Sequence, residues 1–157
     1  MANDTKKNTE EIIFKLTATL KFFGHGSAGF NREDYSQVSV IPDPEFLEGL
    51  KKDIAACYEA SQLDSKWYPD FVTKADCSAI NLKSQFNIPV LVTTNDKEHP
   101  QFETTVVDFV KLYGTPKAGT HVSVVMKFKG KSMYPIAIRM NKTLEDIERY
   151  SLASLFE

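Results

Sequence analysis

From Phe14 to Phe23 apolar and polar positions alternate: Phe14, Leu16, Ala18, Leu20 and Phe22 fall on one set, Lys15, Thr17, Thr19, Lys21 and Phe23 on the other. A period of two is the pattern of a strand with one buried face. The second set is therefore expected to face outward, making that surface basic, hydroxylic and, at Phe23, aromatic. The stretch "GHGSAGFNRED" follows as a glycine-rich loop holding His25 and Arg32. It lacks the strand-to-helix setting and closing lysine of a phosphate loop, so no nucleotide site is read there. "YSQVSVI", opened by Tyr35 and stopped by Pro42, predicts a second strand. Asp43 then reads as a helix N-cap with Pro44 in the first turn. Phe46, Leu47, Leu50, Ile54, Cys57 and Tyr58 recur at helical spacing. They predict a helix over about 43–62 whose other face is acidic and solvated.

An irregular connector carrying Trp67 leads to "INLKSQFNIPVLV". Here Ile80, Leu82, Ser84, Phe86 and Ile88 alternate with Asn81, Lys83, Gln85 and Asn87, which predicts a single strand with an edge or bulge at Pro89. "TTVVDFVKLY", "HVSVVMKF" and "SMYPIAIRM" predict three further strands. The polar stretch 1–11 is read as a flexible leader and 12–142 as one domain. In 143–157, Leu144, Ile147, Leu152 and Leu155 predict a short amphipathic helix that packs against the domain or a second subunit, making a homo-oligomer. Strands and helices do not alternate regularly. The order instead favours a mainly β protein: a small antiparallel barrel with one helix inserted after its second strand.

Charge changes the picture through its distribution. The chain has a formal net charge of −2, yet Val110 to Lys142 contains no aspartate or glutamate. Acids gather instead on the inserted helix, between Asp96 and Asp108, and at Glu145 to Glu148. The basic run holds Lys127, Lys129, Lys131 and Arg139 with Tyr134 among them, and the earlier strands add Lys15, Lys21 and Lys83. Cations beside outward aromatics suit single-stranded nucleic acid, whose phosphates need neutralising and whose bases stack on rings. Lysines on strand faces also guard sheets against edge-to-edge aggregation, and most aromatics of a small domain are core.

Enzyme chemistry finds little support. His25, His99 and His121 lie at no metal-ligand spacing and read as solvated or incidental, and no nucleophile motif occurs. No carboxylate cluster within the basic run offers a divalent-cation site, which disfavours a nuclease. No cofactor is expected. Cys57 and Cys77 form neither a CxxC nor a disulfide framework and are expected to be buried free thiols in a reducing compartment. No apolar run reaches membrane-spanning length, and no signal peptide is evident, so the expected setting is cytoplasmic.

The order of segments resembles the single-stranded DNA-binding proteins of tailed phages, a group with the oligonucleotide/oligosaccharide-binding (OB) fold. "DYSQVSVIPDPEFLEGLKKDIAACYEAS" is similar to that family's strand ending in Ile-Pro before an acidic helix start. "SKWYPD" falls at a Lys-Trp connector. "AINLKSQFNIPVLVTTNDKEHP" resembles the strand in which Asn, Lys and Ser precede a proline and a valine pair, and "AGTHVSVVMKF" the glycine-led strand that follows. The likeness runs from about Phe14 to Met140 and rests on segment order and short matches. It implies an OB-like barrel that covers single-stranded DNA without sequence preference, in replication, recombination or repair inside a bacterial host. It carries Asn81, Lys83 and Ser84 over by position; the remaining lysines and aromatics come from alternation. Family members often end in an acidic, aromatic-closed tail that recruits replication proteins. This chain ends "LEDIERYSLASLFE", which departs from that pattern. The alternative is a protein-interaction module, a phage adaptor or inhibitor, on the same barrel.

Overall fold

The structure, a computed structural model, describes residues 11–25, 36–84 and 87–150. A seven-stranded sheet dominates it, in the order β3-β2-β1-β7-β8-β4-β5. Its strands are β1 (Glu11–His25), β2 (Ser36–Pro42), β3 (Ile80–Ser84), β4 (Pro89–Thr93), β5 (Gln101–Thr105), β7 (His121–Lys129) and β8 (Ser132–Met140). β6 (Thr115–Pro116) and β9 (Arg149–Tyr150) form a small separate pair. The helices are α1 (Pro44–Ala60), α2 (Asp70–Thr73) and α3 (Val106–Tyr113). Every pairing in the large sheet is antiparallel except β4 with β8.

Connectivity alone forces this sheet to curl. β3 lies at one edge and β4 beside the other, five inter-strand steps away, a distance of roughly 24 Å if the sheet were flat. The chain from Ser84 to Pro89 can reach only about 17 Å when fully extended. The two ends must therefore approach each other, which gives a curled half-barrel. This is the mainly β, barrel-like class expected from the sequence.

Alternation supplies the core. β1 turns Leu16, Ala18 and Leu20 inward against Val38 and Val40 of β2 and Val122, Val124, Met126 and Phe128 of β7, all buried. Gly130 joins β7 to β8 at positive φ, the glycine-first pattern of a tight hairpin turn. α1 lies within the span predicted for it and buries Leu50, Ile54, Cys57 and Tyr58, the last meeting Phe128 edge-on at 4.9 Å. Burial raises the Cys57 thiol pKa, with Asp53 adding to it. Cys77 is only half-buried, where burial of both thiols was expected.

Four other expectations are corrected. "TTVVDFVKLY" is not a strand: β5 ends at Thr105 and α3 begins, because the Thr105 side chain caps the Asp108 amide at 3.2 Å and Asn87 Oδ1 accepts from the Val107 amide at 3.1 Å. "INLKSQFNIPVLV" is two strands on opposite sides of the sheet order, with Pro89 as the first residue of the second. Asp43 occupies the N-cap position of α1 without capping it, its carboxylate being bound by other side chains. Within 143–150 there is a single 3₁₀ turn at Leu144–Asp146 followed by β9; Ile147 is buried, and residues 151–157 lie outside the described residues. Among the described residues no helix is long and apolar enough to cross a membrane.

Candidate functional site

Residues paired across neighbouring strands share a face, so the registers define one continuous outer surface. Glu11, Ile13, Lys15, Thr17 and Thr19 of β1 stand opposite Lys129, Lys127, Val125, Ser123 and His121 of β7. β8 extends these rows with Ser132, Tyr134, Ala137 and Arg139. On the other side of β1, Phe22 pairs with Ser39, which pairs with Asn81, and Lys83 pairs with Gln37. Lys15, Asn81, Lys83, Lys127, Lys129, Tyr134 and Arg139 are thus brought onto one face, Tyr134 and Arg139 together because the β7–β8 register shifts at Ile136 between them. Lys131 is exposed in the β7–β8 turn beside it.

Three predicted strand residues stand elsewhere. Phe23 is 1% exposed and packs edge-on against Phe109 at 5.6 Å, so it is core. The cause is a bulge at Lys21, where the β1–β2 register shifts between Leu20 and Phe22. One extra residue inverts the alternation, sending Phe22 outward (44% exposed) and Phe23 inward. Lys21 itself is exposed but lines a cavity of about 390 Å³ with Asn81, Ile54, Tyr58 and Met133. Ser84 pairs with the buried Ser36, on the side of the sheet away from Lys83. Arg32, Tyr35 and Gln85 lie outside the described residues.

The remaining aromatics are accessible. Tyr134 is 45% exposed and sits directly opposite Lys127. Trp67, 68% exposed, ends a 3₁₀ turn that Asp64 caps through the Lys66 amide, and the Lys66 ammonium lies 5.6 Å from its ring. Neighbouring Pro69 lines the same cavity as Lys21 and Asn81.

The cations differ in how free they are. Glu11, absent from the sequence-based set, pairs with Lys127 at 3.2 Å and with Lys129 at 3.5 Å. The Lys127 hydrogen bond, above all, holds the Glu11 carboxyl below its ordinary pKa. Lys15, Lys21, Lys83, Lys131 and Arg139 make no ion pair with any described carboxylate. Only Glu11 and, beyond Leu91 in the Arg139 row, Glu103 add exposed acids to these rows.

A polar chain also crosses this face. Arg139 Nη2 donates to Ser123 Oγ at 3.0 Å and its Nε to Asn141 Oδ1 at 3.2 Å. Asn141 Nδ2 meets His121 Nδ1 at 2.9 Å, while His121 Nε2 meets Asp43 Oδ2 at 2.8 Å and Thr17 Oγ1 donates to that same oxygen. The arrangement fits a ring protonated at Nε2, which donates to Asp43 and accepts from Asn141. His121 is therefore no incidental histidine. Its partner Asp43 is 78 residues away in sequence, which no local spacing can show. Among the described residues no group of three or more His, Cys, Asp or Glu side chains is placed to hold a metal ion.

The hydrogen bonds from His121, the larger effect, and from Thr17 hold the Asp43 carboxyl below its ordinary pKa of 3.8. A depressed carboxyl contributes stability that is present above its unfolded-state pKa and lost as pH falls through the folded one. Asp43→Asn is thus expected to be less stable than the parent near neutrality, with the difference shrinking as pH drops below 3.8. Urea midpoints measured from about pH 7 to about pH 2.5 check this; a difference that stays constant to the acid end contradicts it.

Compared with known proteins, the chain matches no protein-family model, no curated protein and no solved structure.

Proposed function

We propose that this protein is a non-catalytic, sequence-independent single-stranded DNA-binding protein on an OB-type barrel, serving phage DNA replication, recombination or repair. The observation that carries this reading is the outer sheet face. It gathers Lys15, Lys83 and Arg139, none in an ion pair with a described carboxylate, with the Lys127–Tyr134 pair and exposed Phe22. Phosphates attract such cations whatever the base sequence, and accessible rings stack on any base at about 1–3 kcal/mol each. The half-exposed Tyr134 and Phe22 therefore favour nucleic acid over the adaptor alternative.

Fluorescence anisotropy with labelled oligo(dT) and a duplex of equal length, titrated over a range of salt, tests the reading. Tight, salt-sensitive binding that favours the single strand is expected. Lys83→Ala should weaken every single-stranded sequence alike and reduce the log–log salt slope by about 0.7, the value for one lost phosphate contact. Absence of binding at low salt would overturn the proposal and turn the search to an acidic protein partner.

A further inference from the structure

On the outer face, beside the start of α1, lies a groove of about 480 Å³. Its origin can be traced in the register. The row Lys15–Val125–Ala137 runs beside the row Thr17–Ser123–Arg139–Leu91. Ala137 is the smallest side chain between longer neighbours, so the surface sinks there. Phe46, projecting from the first turn of α1, forms one wall, and Leu91 and Val125 contribute further apolar surface. Lys15 and Arg139 supply the charge.

We propose that this groove is a subsite for one nucleotide of a bound single strand, a reading that rests on the function proposed above. The base lies on Ala137, Val125 and Leu91 with the Phe46 ring against it, and the adjoining phosphate is held by Lys15 and Arg139. Volume agrees, falling within the roughly 300–1,000 Å³ typical of small-molecule sites. So does chemistry: an apolar floor with two cations at its border matches a flat heterocycle joined to an anion, whereas a purely apolar ligand would leave both cations unused. Arg139 is also pre-oriented. Ser123 and Asn141 take its Nη2 and Nε donors, leaving the rest of the guanidinium fork for phosphate oxygens. Asn141 is fixed by His121, and His121 by Asp43. Asp43, the one carboxylate in this hydrogen-bonded series, is occupied by His121 and Thr17.

Ultraviolet cross-linking of the full wild-type chain to oligo(dT), with mass-spectrometric mapping, should place an adduct on Phe46. Ala137→Phe, which fills the groove, should weaken oligo(dT) about 10-fold, as expected for one lost stacking contact. The same variant should bind an abasic strand of equal length like the parent, while Arg139→Gln weakens both strands. Should Ala137→Phe fail to fold, the wild-type cross-link decides. If wild-type protein binds oligo(dT) tightly but Phe46 is not cross-linked and Ala137→Phe binds normally, the strand runs elsewhere: the subsite falls and the single-strand function stands. If wild-type protein binds no strand, both fall.

Discussion

Phe109→Ala is expected to cost about 3–5 kcal/mol of folding stability, the range for truncating a fully buried aromatic. Phe109 is completely buried, with Phe23 at 5.6 Å and Tyr113 at 5.2 Å. It belongs to α3, whose eight residues are too few to hold a helix without packing. α3 touches β1, β2, β4 and β5, so its apolar side plugs the curled sheet where those strands converge. The cavity left by alanine would sit among side chains anchored in four strands, which cannot easily collapse into it. Urea unfolding provides the measurement. Leu112→Ala on the same helix serves as control, since Leu112 is 70% exposed and should change stability by no more than about 0.5 kcal/mol. A loss below about 1 kcal/mol for Phe109→Ala would mean that α3 does not plug the core.

That same helix shows where local pattern misleads. "VVDFVK" is rich in β-branched and aromatic residues, which favour strands by propensity. Yet Val106, Phe109, Val110 and Tyr113 also fit a helical period, and two caps decide the matter. One cap, Thr105, is local and was available to a reader of the sequence. The other, Asn87, comes from a different segment. The break between β3 and β4 was equally hard to read. Alternation continues through Ser84 to Ile88, and only curling of the whole sheet sends the two halves to opposite sides of the order. By contrast α1 and β7 were legible, because their apolar faces have the right period and their ends carry proline or glycine, while β8 was legible as a strand but not in its faces, which exchange at Ile136.

The same contrast holds for the candidate surface. On β7 the outward positions follow from period-2 reading, which placed Lys127 and Lys129 correctly, whereas Tyr134 and Arg139 of β8, five positions apart, share that face only because the register shifts at Ile136. On β1 the reading failed after Lys21, because a bulge is a tertiary accommodation and leaves no mark in the alternation. A single inserted position exchanged Phe23 for Phe22 as the exposed ring. Partners distant in sequence were invisible for a simpler reason. Glu11 meets Lys127 only because β1 and β7 pair, and Asp43 meets His121 only because the start of α1 lies against that pair.

Lys15→Glu combined with Lys83→Glu is expected to reduce oligo(dT) affinity at least about 100-fold near 0.1 M salt. For single strands each phosphate contact contributes about 0.7 to the log–log salt slope, so two lost contacts remove roughly 25-fold at that salt, and reversal adds repulsion to the loss. The two lysines suit the test because neither is in an ion pair with a described carboxylate and both are exposed, so their replacement should leave folding intact. Net charge alone would also weaken binding to a polyanion, and this must be separated from a site effect. Lys52→Glu with Lys97→Glu provides the separation, changing the total charge equally at exposed positions on α1 and in the loop before β5. Anisotropy titrations of the two double variants should differ by well over an order of magnitude. Equal losses would show that the strand responds only to overall charge, and that the basic outer face is a solvated surface rather than a path for DNA.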